Sequence, residues 1–83
     1  MPEIVDGFLV TRTWMQEGET FYPCIDVEMT LPDGRVVRNS RTVRMNGGYA
    51  RATEAVTAAG EIQVRGVACD ADFQRIIIQL DTF

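Results

Sequence analysis

Hydrophobic and polar positions alternate through much of the first half of the chain, a pattern typical of strands with one buried face. The apolar members of the stretch from 25 to 31 share one parity: Ile25, Val27, Met29 and Leu31. The segment 31–35, Leu-Pro-Asp-Gly-Arg, then predicts a turn, because proline presets one dihedral angle and glycine accepts a positive φ. The strands around this turn predict a hairpin in which Glu28 lies opposite Arg38 and Met29 opposite Val37.

The strand after this turn carries polar residues on the parity that faces the core. Val37 and Val43 share that parity with Asn39 and Arg41. Two explanations remain open: a bulge near residues 38–40 shifts the register, or these residues lie beyond the edge of the core. We favour the bulge.

Four further segments have a recognisable pattern. Residues 8–15 are rich in β-branched and aromatic side chains and predict a strand, followed by a turn at 16–19. Residues 49–59 are rich in alanine and predict a helix, capped near Asn46 and ended by Gly60. Residues 62–65 and 73–80 predict two strands, although a helix over 71–80 is an alternative. The three consecutive isoleucines at 76–78 favour the strand.

Together these elements predict an α+β fold in the order β-β-β-α-β-β, formed by a single domain that spans residues 1–83. An antiparallel sheet with one short helix packed on one face is the simplest arrangement that buries all the apolar stripes. A chain of 83 residues buries a smaller share of its surface than a typical domain. We therefore expect modest stability for the isolated chain.

The residue types that most catalytic sites require are scarce. The chain has no histidine and no lysine, and Ser40 is its only serine, which excludes Ser-His or Cys-His pairs and lysine Schiff bases. The pair Asp70 and Asp72 fits turn chemistry better than a metal site, and Gly47-Gly48 fits a turn better than a phosphate-binding loop. We expect no enzymatic activity, no cofactor and no metal.

Two cysteines, Cys24 and Cys69, are predicted to be free thiols. The amino terminus has no signal-peptide pattern, and no apolar run reaches the roughly 20 residues of a membrane span. We therefore expect a cytoplasmic protein without membrane association, in a reducing compartment where disulfides are rare. Cys24 is predicted on the polar face of its strand near Thr42, exposed and without a catalytic role.

The basic residues are all arginine, and five of the eight lie in one block of an acidic chain. Residues 1–34 have a net charge of −6, residues 35–53 of +5 and residues 54–83 of −3. Arginine suits phosphates and carboxylates, but nucleic-acid-binding domains are usually basic, whereas this chain has a pI of about 4.6. The pattern favours pairing of the arginines with acids of the preceding strand. Nucleic-acid binding through residues 35–51 is the alternative.

Aromatic and arginine side chains dominate protein-binding hot spots and mark the candidate contact residues. With the acids beside them, these are Trp14, Tyr22, Asp26, Glu28, Arg38, Arg41 and Arg44. We expect a non-enzymatic module that binds a protein partner as an adaptor, regulator or inhibitor. Within this class, small size and acidic segments favour an inhibitor encoded by a phage or mobile element, which would occupy a basic surface on nucleic-acid-handling machinery. Open sheet edges also favour a homodimer.

Overall fold

The strands follow the alternation of the sequence and form two antiparallel sheets. The computed structural model describes residues 2–44 and 47–81. Its elements are β1 (Glu3–Val5), β2 (Phe8–Glu17), β3 (Thr20–Thr30), β4 (Val36–Thr42), α1 (Ala52–Gly60), β5 (Val64–Cys69) and β6 (Ile76–Leu80). One sheet has the strand order β1-β2-β3-β4, and the other pairs β5 with β6. This order confirms the predicted α+β class and adds one strand.

The turn after β3 sets the register of the central hairpin. Leu31 N–H donates to Arg35 O over 2.7 Å, and Gly34 has a φ of +91° that glycine adopts without steric cost. The N–H of Arg35 also donates to the carboxylate of Asp33, which lowers the pKa of that group below its ordinary value. Glu28 lies opposite Arg38, as predicted.

The pairing of β3 with β4 is continuous, so the predicted bulge near residues 38–40 is wrong. Asn39 and Arg41 keep the parity that faces the core, and their side chains reach the second sheet. Asn39 Nδ2 donates to Ile76 O over 2.8 Å, and Arg41 Nη1 donates to Ile78 O over 3.0 Å. Polar residues occupy these positions because the carbonyl groups at the edge of β6 need donors.

Strand β1 is an addition to the predicted order. A two-residue turn with positive φ at Asp6 and Gly7 joins it to β2, a conformation that suits the Asp-Gly pair. The side chain of Asp6 also connects the two sheets, since its Oδ2 accepts the N–H of Val67 in β5 over 3.0 Å. Side chains therefore bridge the sheets on both sides, from β4 to β6 and from the β1–β2 turn to β5.

A single hydrophobic core lies between the four-stranded sheet, α1 and the β5–β6 hairpin. Val10, Ile25 and Val27 are completely buried in it, and Ile76 and Ile78 cover them from β6. Residues 76–80 thus form a strand rather than the alternative helix. Helix α1 contributes its buried alanines, whose small side chains permit close packing on the sheet.

Helix α1 begins three residues later than predicted. Arg51 occupies the N-cap position in an extended conformation and makes no capping hydrogen bond with its side chain. Tyr49, the predicted first helical residue, instead exchanges two backbone hydrogen bonds with Phe21 of β3. The predicted cap Asn46 lies outside the described residues. Gly48, at a φ of +81°, brings the chain against the β2–β3 hairpin.

Arg12 joins β2 to the end of the helix. It occupies an inner-face position between Val10 and Trp14, and its side chain is 16% exposed. Its Nε donates to Ala59 O over 3.0 Å and its Nη2 to Ile62 O over 2.9 Å, while Nη1 pairs with Glu3. The guanidinium group therefore satisfies carbonyl groups at the negative end of the helix dipole.

Candidate functional site

Five of the predicted contact residues lie together on the outer face of the four-stranded sheet. This outer face is the side opposite α1 and the β5–β6 hairpin. The strand register assigns these residues to it: Ile4, Leu9, Thr11, Thr13, Met15, Tyr22, Cys24, Asp26, Glu28, Val36, Arg38, Ser40 and Thr42. Arg44, just after β4, reaches the ring of Tyr22 on the same side. Because α1 and the second sheet pack on the inner face, the outer face has no covering layer among the described residues.

One end of the outer face carries an aromatic and arginine cluster. The guanidinium carbon of Arg44 lies 5.7 Å from the ring centroid of Tyr22, which is cation–π geometry. The same guanidinium group pairs with Glu17 at 2.6 Å. Tyr22 and Arg44 are therefore neighbours on the outer face, and Arg44 contacts both the ring and the carboxylate of Glu17.

Two acidic residues of β3 lie in the middle of the outer face and are both engaged by β4. Arg38 pairs with Glu28 at 2.9 Å, and Ser40 Oγ donates to the carboxylate of Asp26. With Thr11 they line a depression of about 330 Å³. Arg38 is largely exposed and Glu28 partly so, and a pair at the surface contributes little to stability, about 0–1 kcal/mol.

Cys24 lies beside Thr42, as predicted, but it is only 6% exposed rather than accessible. Its Sγ donates weakly to Asp26 and accepts from Thr42. Burial raises the pKa of Cys24, and the neighbouring carboxylate of Asp26 raises it further, while the hydrogen bond from Thr42 acts in the opposite direction. The thiol is therefore held in its neutral, unreactive form.

The structure does not bring Trp14 and Arg41 into this group. Trp14 lies opposite Pro23 on the inner-face parity, and because it sits near the end of β2 it remains 47% exposed. Arg41 also lies on the inner-face parity and donates to Ile78 O of β6. The seven candidates thus divide between two sides of the sheet.

Pairing within the protein engages most of the arginine block. Arg35, Arg38 and Arg44 each contact a carboxylate at 2.6–2.9 Å. The predicted pairing with the preceding strand is confirmed for Arg38 alone, through Glu28. Arg35 pairs instead with Asp33 in the turn, and Arg44 pairs with Glu17 of β2. Within residues 2–44 and 47–81, the other two, Arg41 and Arg51, have no carboxylate at ion-pair distance.

A groove beside β6 is the site that the sequence does not reveal. It has a volume of about 650 Å³ and is lined by Arg41, Arg65, Ile77, Ile78, Gln79 and Leu80. Arg65 pairs with Asp81 at 3.3 Å. No spacing in the sequence places Arg65 near Arg41, because the two residues belong to different sheets and meet only after these pack together.

No three acidic, cysteine or histidine side chains within the described ranges come close enough to share a metal ion. The part of the chain that the structure describes also contains no helix with the length and apolar composition needed to cross a membrane. No protein-family model, curated protein or solved structure matches the chain.

Proposed function

We propose that the protein is a non-enzymatic module that binds a protein partner through its outer face, as an adaptor, regulator or inhibitor. The supporting observation is the outer face itself, which is four strands wide and carries the Tyr22–Arg44 cluster at one end. Tyrosine and arginine are the residues most enriched at binding hot spots. Arg44 also pairs with Glu17, so its guanidinium group contacts both an aromatic ring and a carboxylate at this end of the face.

The charges of the outer face support a partner that also presents charge. Asp26 and Glu28 lie next to each other on this face of β3, and both are partly exposed. A basic surface on nucleic-acid-handling machinery would complement these two carboxylates, with Arg38 setting the orientation. Charge complementarity of this kind contributes more to specificity and association rate than to affinity.

The chemistry of the outer face supports binding rather than catalysis. Its thiol, Cys24, is buried and has a raised pKa. The carboxylate of Asp26 accepts a hydrogen bond from Ser40, and that of Glu28 is paired with Arg38. A nucleophile needs a lowered pKa or a base free to take its proton. The pKa of Cys24 is raised, and Asp26, the carboxylate that its Sγ contacts, also accepts from Ser40.

Affinity capture with a matched pair of variants tests the proposal. The full chain is immobilised and exposed to nuclease-treated extract of its native cell or host. We expect a protein that is retained by the wild type and by Thr53→Ala/Glu54→Ala, a control on the exposed side of α1. We expect the same protein to be lost with Tyr22→Ala/Arg44→Ala, provided that circular dichroism shows the variant to be folded.

Equal retention by the outer-face variant would contradict the assignment of this surface. The alternative, nucleic-acid binding through residues 35–51, predicts a different result. Oligonucleotides would then bind at low salt, and Arg41→Ala/Arg51→Ala would weaken that binding. Because Arg35, Arg38 and Arg44 already contact carboxylates, we favour the protein partner.

We also infer a homodimer that forms through the edge of the four-stranded sheet at β1. Among the described strands β1 pairs only with β2, and Ile4 at its centre is 68% exposed. Light scattering is expected to give twice the chain mass of 9.3 kDa, and Ile4→Lys is expected to give the monomer. A monomeric wild type at concentrations of about 100 μM or more would contradict the dimer.

A further inference from the structure

We propose that the groove beside β6 binds an extended acidic segment of a partner protein. This groove lies on another side of the molecule from the Tyr22–Arg44 cluster, so its occupancy does not depend on the function proposed for the outer face. Its volume of about 650 Å³ falls in the range of ligand-binding clefts. The depression on the outer face is smaller, at about 330 Å³.

The first argument is a positive charge without a counter-charge. Five arginines of the described chain contact a carboxylate: Arg12, Arg35, Arg38, Arg44 and Arg65. Arg41 lines the groove and contacts a backbone carbonyl instead, through one of its nitrogens. Its other N–H donors remain available to a carboxylate, which guanidinium binds in a bidentate manner.

The second argument is that the groove combines two arginines with apolar side chains. Arg65 enters from β5, and its partner Asp81 lies at the end of β6. Ile77 is 54% exposed, and Leu80 lies at the other end of the same lining. Alternation of charged and apolar contacts along a strand matches an extended peptide, whose successive side chains point in opposite directions.

The third argument comes from the backbone of β6. The carbonyl groups of Ile76 and Ile78 point away from β5. They accept hydrogen bonds from the side chains of Asn39 and Arg41 on β4. Since N–H and C=O groups alternate in direction along an antiparallel strand, Leu80 directs its backbone groups to the same side. Asp81 N–H, by contrast, donates to Gln63 O on the β5 side. A segment lying in the groove can therefore form main-chain hydrogen bonds at Leu80.

These features favour an acidic peptide over a nucleic acid. A phosphate backbone would be drawn to the arginines but has no apolar groups for Ile77 and Leu80. The net charge of −4 for the whole chain also repels a long polyanion, whereas a short acidic segment meets only the local field of the groove.

Selection from a peptide library tests the proposal, because it does not require the partner to be identified first. Random hexapeptides displayed on phage are selected against the immobilised full chain. We expect the enriched peptides to carry aspartate or glutamate at alternate positions with apolar residues between them. Fluorescence anisotropy with a synthetic copy of an enriched peptide then gives its affinity. In ¹⁵N NMR spectra the same peptide is expected to shift the amide signals of Ile77, Ile78 and Leu80.

Arg41→Gln is the decisive variant, because glutamine keeps an N–H donor for Ile78 O but removes the charge. We expect it to weaken peptide binding about tenfold, as for loss of a charge-assisted hydrogen bond. The matched control Arg35→Gln, in the turn before β4 and outside the groove lining, removes the same charge. It is expected to bind within about twofold of the wild type, because Arg35 already pairs with Asp33. Near-native circular dichroism of both variants excludes misfolding as the cause.

Three results would overturn the proposal. The first is the absence of enrichment, or enrichment of peptides without acidic residues. The second is equal weakening by Arg41→Gln and Arg35→Gln, which would indicate general electrostatic attraction. The third is Arg41-dependent binding of a single-stranded oligonucleotide in place of the peptide, which would assign the groove to nucleic acid.

Discussion

At the scale of single residues, Gly48 lies where the chain after β4 passes closest to the β2–β3 hairpin. A Cβ atom at this position would lie 2.4 Å from Thr20 Cγ2 and 2.8 Å from Tyr22 Cε1. The neighbouring Gly47 has a similar φ of +70°, but no described atom lies within 4 Å of its Cβ position. The two glycines thus share a conformation and differ in their surroundings.

This difference predicts unequal effects of alanine at the two positions. Gly47→Ala adds only the cost of a left-handed conformation, about 1 kcal/mol. Gly48→Ala adds a steric clash to that cost. We expect it to lower the free energy of unfolding by at least about 2 kcal/mol more than Gly47→Ala does. Urea denaturation of both variants measures the difference, and equal losses would mean that the close approach of Gly48 is not required.

The thiol of Cys24 predicts a dependence of stability on pH. Burial raises its pKa in the folded protein, so its contribution to stability is complete at pH values below the ordinary thiol pKa of about 8.5. As the pH rises further, the unfolded chain loses its thiol proton first, and the folded state is destabilised relative to it.

Comparison of the wild type with Cys24→Ala isolates this effect, because all other groups titrate in both proteins. We expect the difference in unfolding free energy between them, measured in urea at pH 7 and at pH 9.5, to shrink at the higher pH. A constant difference would show that the thiol titrates alike in the folded and unfolded states. The strand parity predicted the neighbour Thr42 but not the burial of Cys24, which depends on how adjacent side chains fold over it.

At the scale of elements, helix α1 begins with an unfavourable residue. Arg51 supplies no capping oxygen to the first turn and places a positive charge at the positive end of the helix dipole. Aspartate at the same position would provide both a capping oxygen and a negative charge.

We therefore expect Arg51→Asp to raise the free energy of unfolding by about 1 kcal/mol. Arg51→Ala serves as the control: it removes the positive charge without adding a cap, so its effect is expected to be smaller. Thermal or urea denaturation measures both. A loss of stability in Arg51→Asp would indicate that the arginine makes a contact on which the fold depends.

Arg12 stabilises the end of α1, whereas Arg51 is unfavourable at its start. Its guanidinium group donates to Ala59 O and Ile62 O and is largely buried, so removal leaves carbonyl groups without their donor. We expect Arg12→Gln to lower the free energy of unfolding by about 2 kcal/mol. Arg38→Gln, which disrupts an exposed pair, is expected to change it by less than about 1 kcal/mol. Similar losses in the two variants would argue against the capping role of Arg12.

Elements fixed by interactions between residues close in the sequence were predictable, and those fixed by distant residues were not. The β3–β4 register was predictable because the turn at 31–35 and the pair of Glu28 with Arg38 act locally. The inward positions of Arg12 and Asn39 were not, since their acceptors lie 37 to 50 residues further along the chain. Helix α1 begins later than predicted for the same reason: Tyr49 forms backbone hydrogen bonds with Phe21, 28 residues earlier in the chain, and is not helical.

At the scale of the whole molecule, the side chains of Asn39 and Arg41 protect the edge of β6. This strand contains three consecutive isoleucines, and an uncovered edge of that composition favours pairing between molecules. Asn39 Oδ1 accepts the N–H of Ser40 while Nδ2 donates to Ile76 O, so a single amide engages both β4 and β6.

We expect Asn39→Ala/Arg41→Ala to increase self-association, visible in light scattering as a mass above that of the wild type at equal concentration. Arg38→Ala, on the outer face of the same strand, is the control and is expected to leave the mass unchanged. An unchanged mass in the double variant would show that packing of β6 on the core is sufficient to protect its edge.

The charge blocks of the sequence also find their explanation at this scale. The acidic segment of residues 1–34 contributes Glu17 and Glu28, which form ion pairs with arginines of the basic block. Part of the opposite charge of the two segments is therefore neutralised by pairing within the protein. The candidate outer face was predictable from strand parity in its central residues. The groove with Arg41 and Arg65 was not, because its formation requires the packing of one sheet against the other.

The bridges between the two sheets have a consequence for the order in which the molecule folds. Asp6 meets Val67, and Asn39 meets Ile76, across 61 and 37 residues of sequence. Contacts of such long range slow folding, because the intervening chain must be closed into a loop first. During synthesis the central hairpin and α1 can pack together early, but the part of the inner face that the β5–β6 hairpin covers stays open until β6 leaves the ribosome. The nascent chain therefore passes through a stage in which the core lacks Ile76 and Ile78, and its apolar side chains are incompletely covered until that hairpin packs.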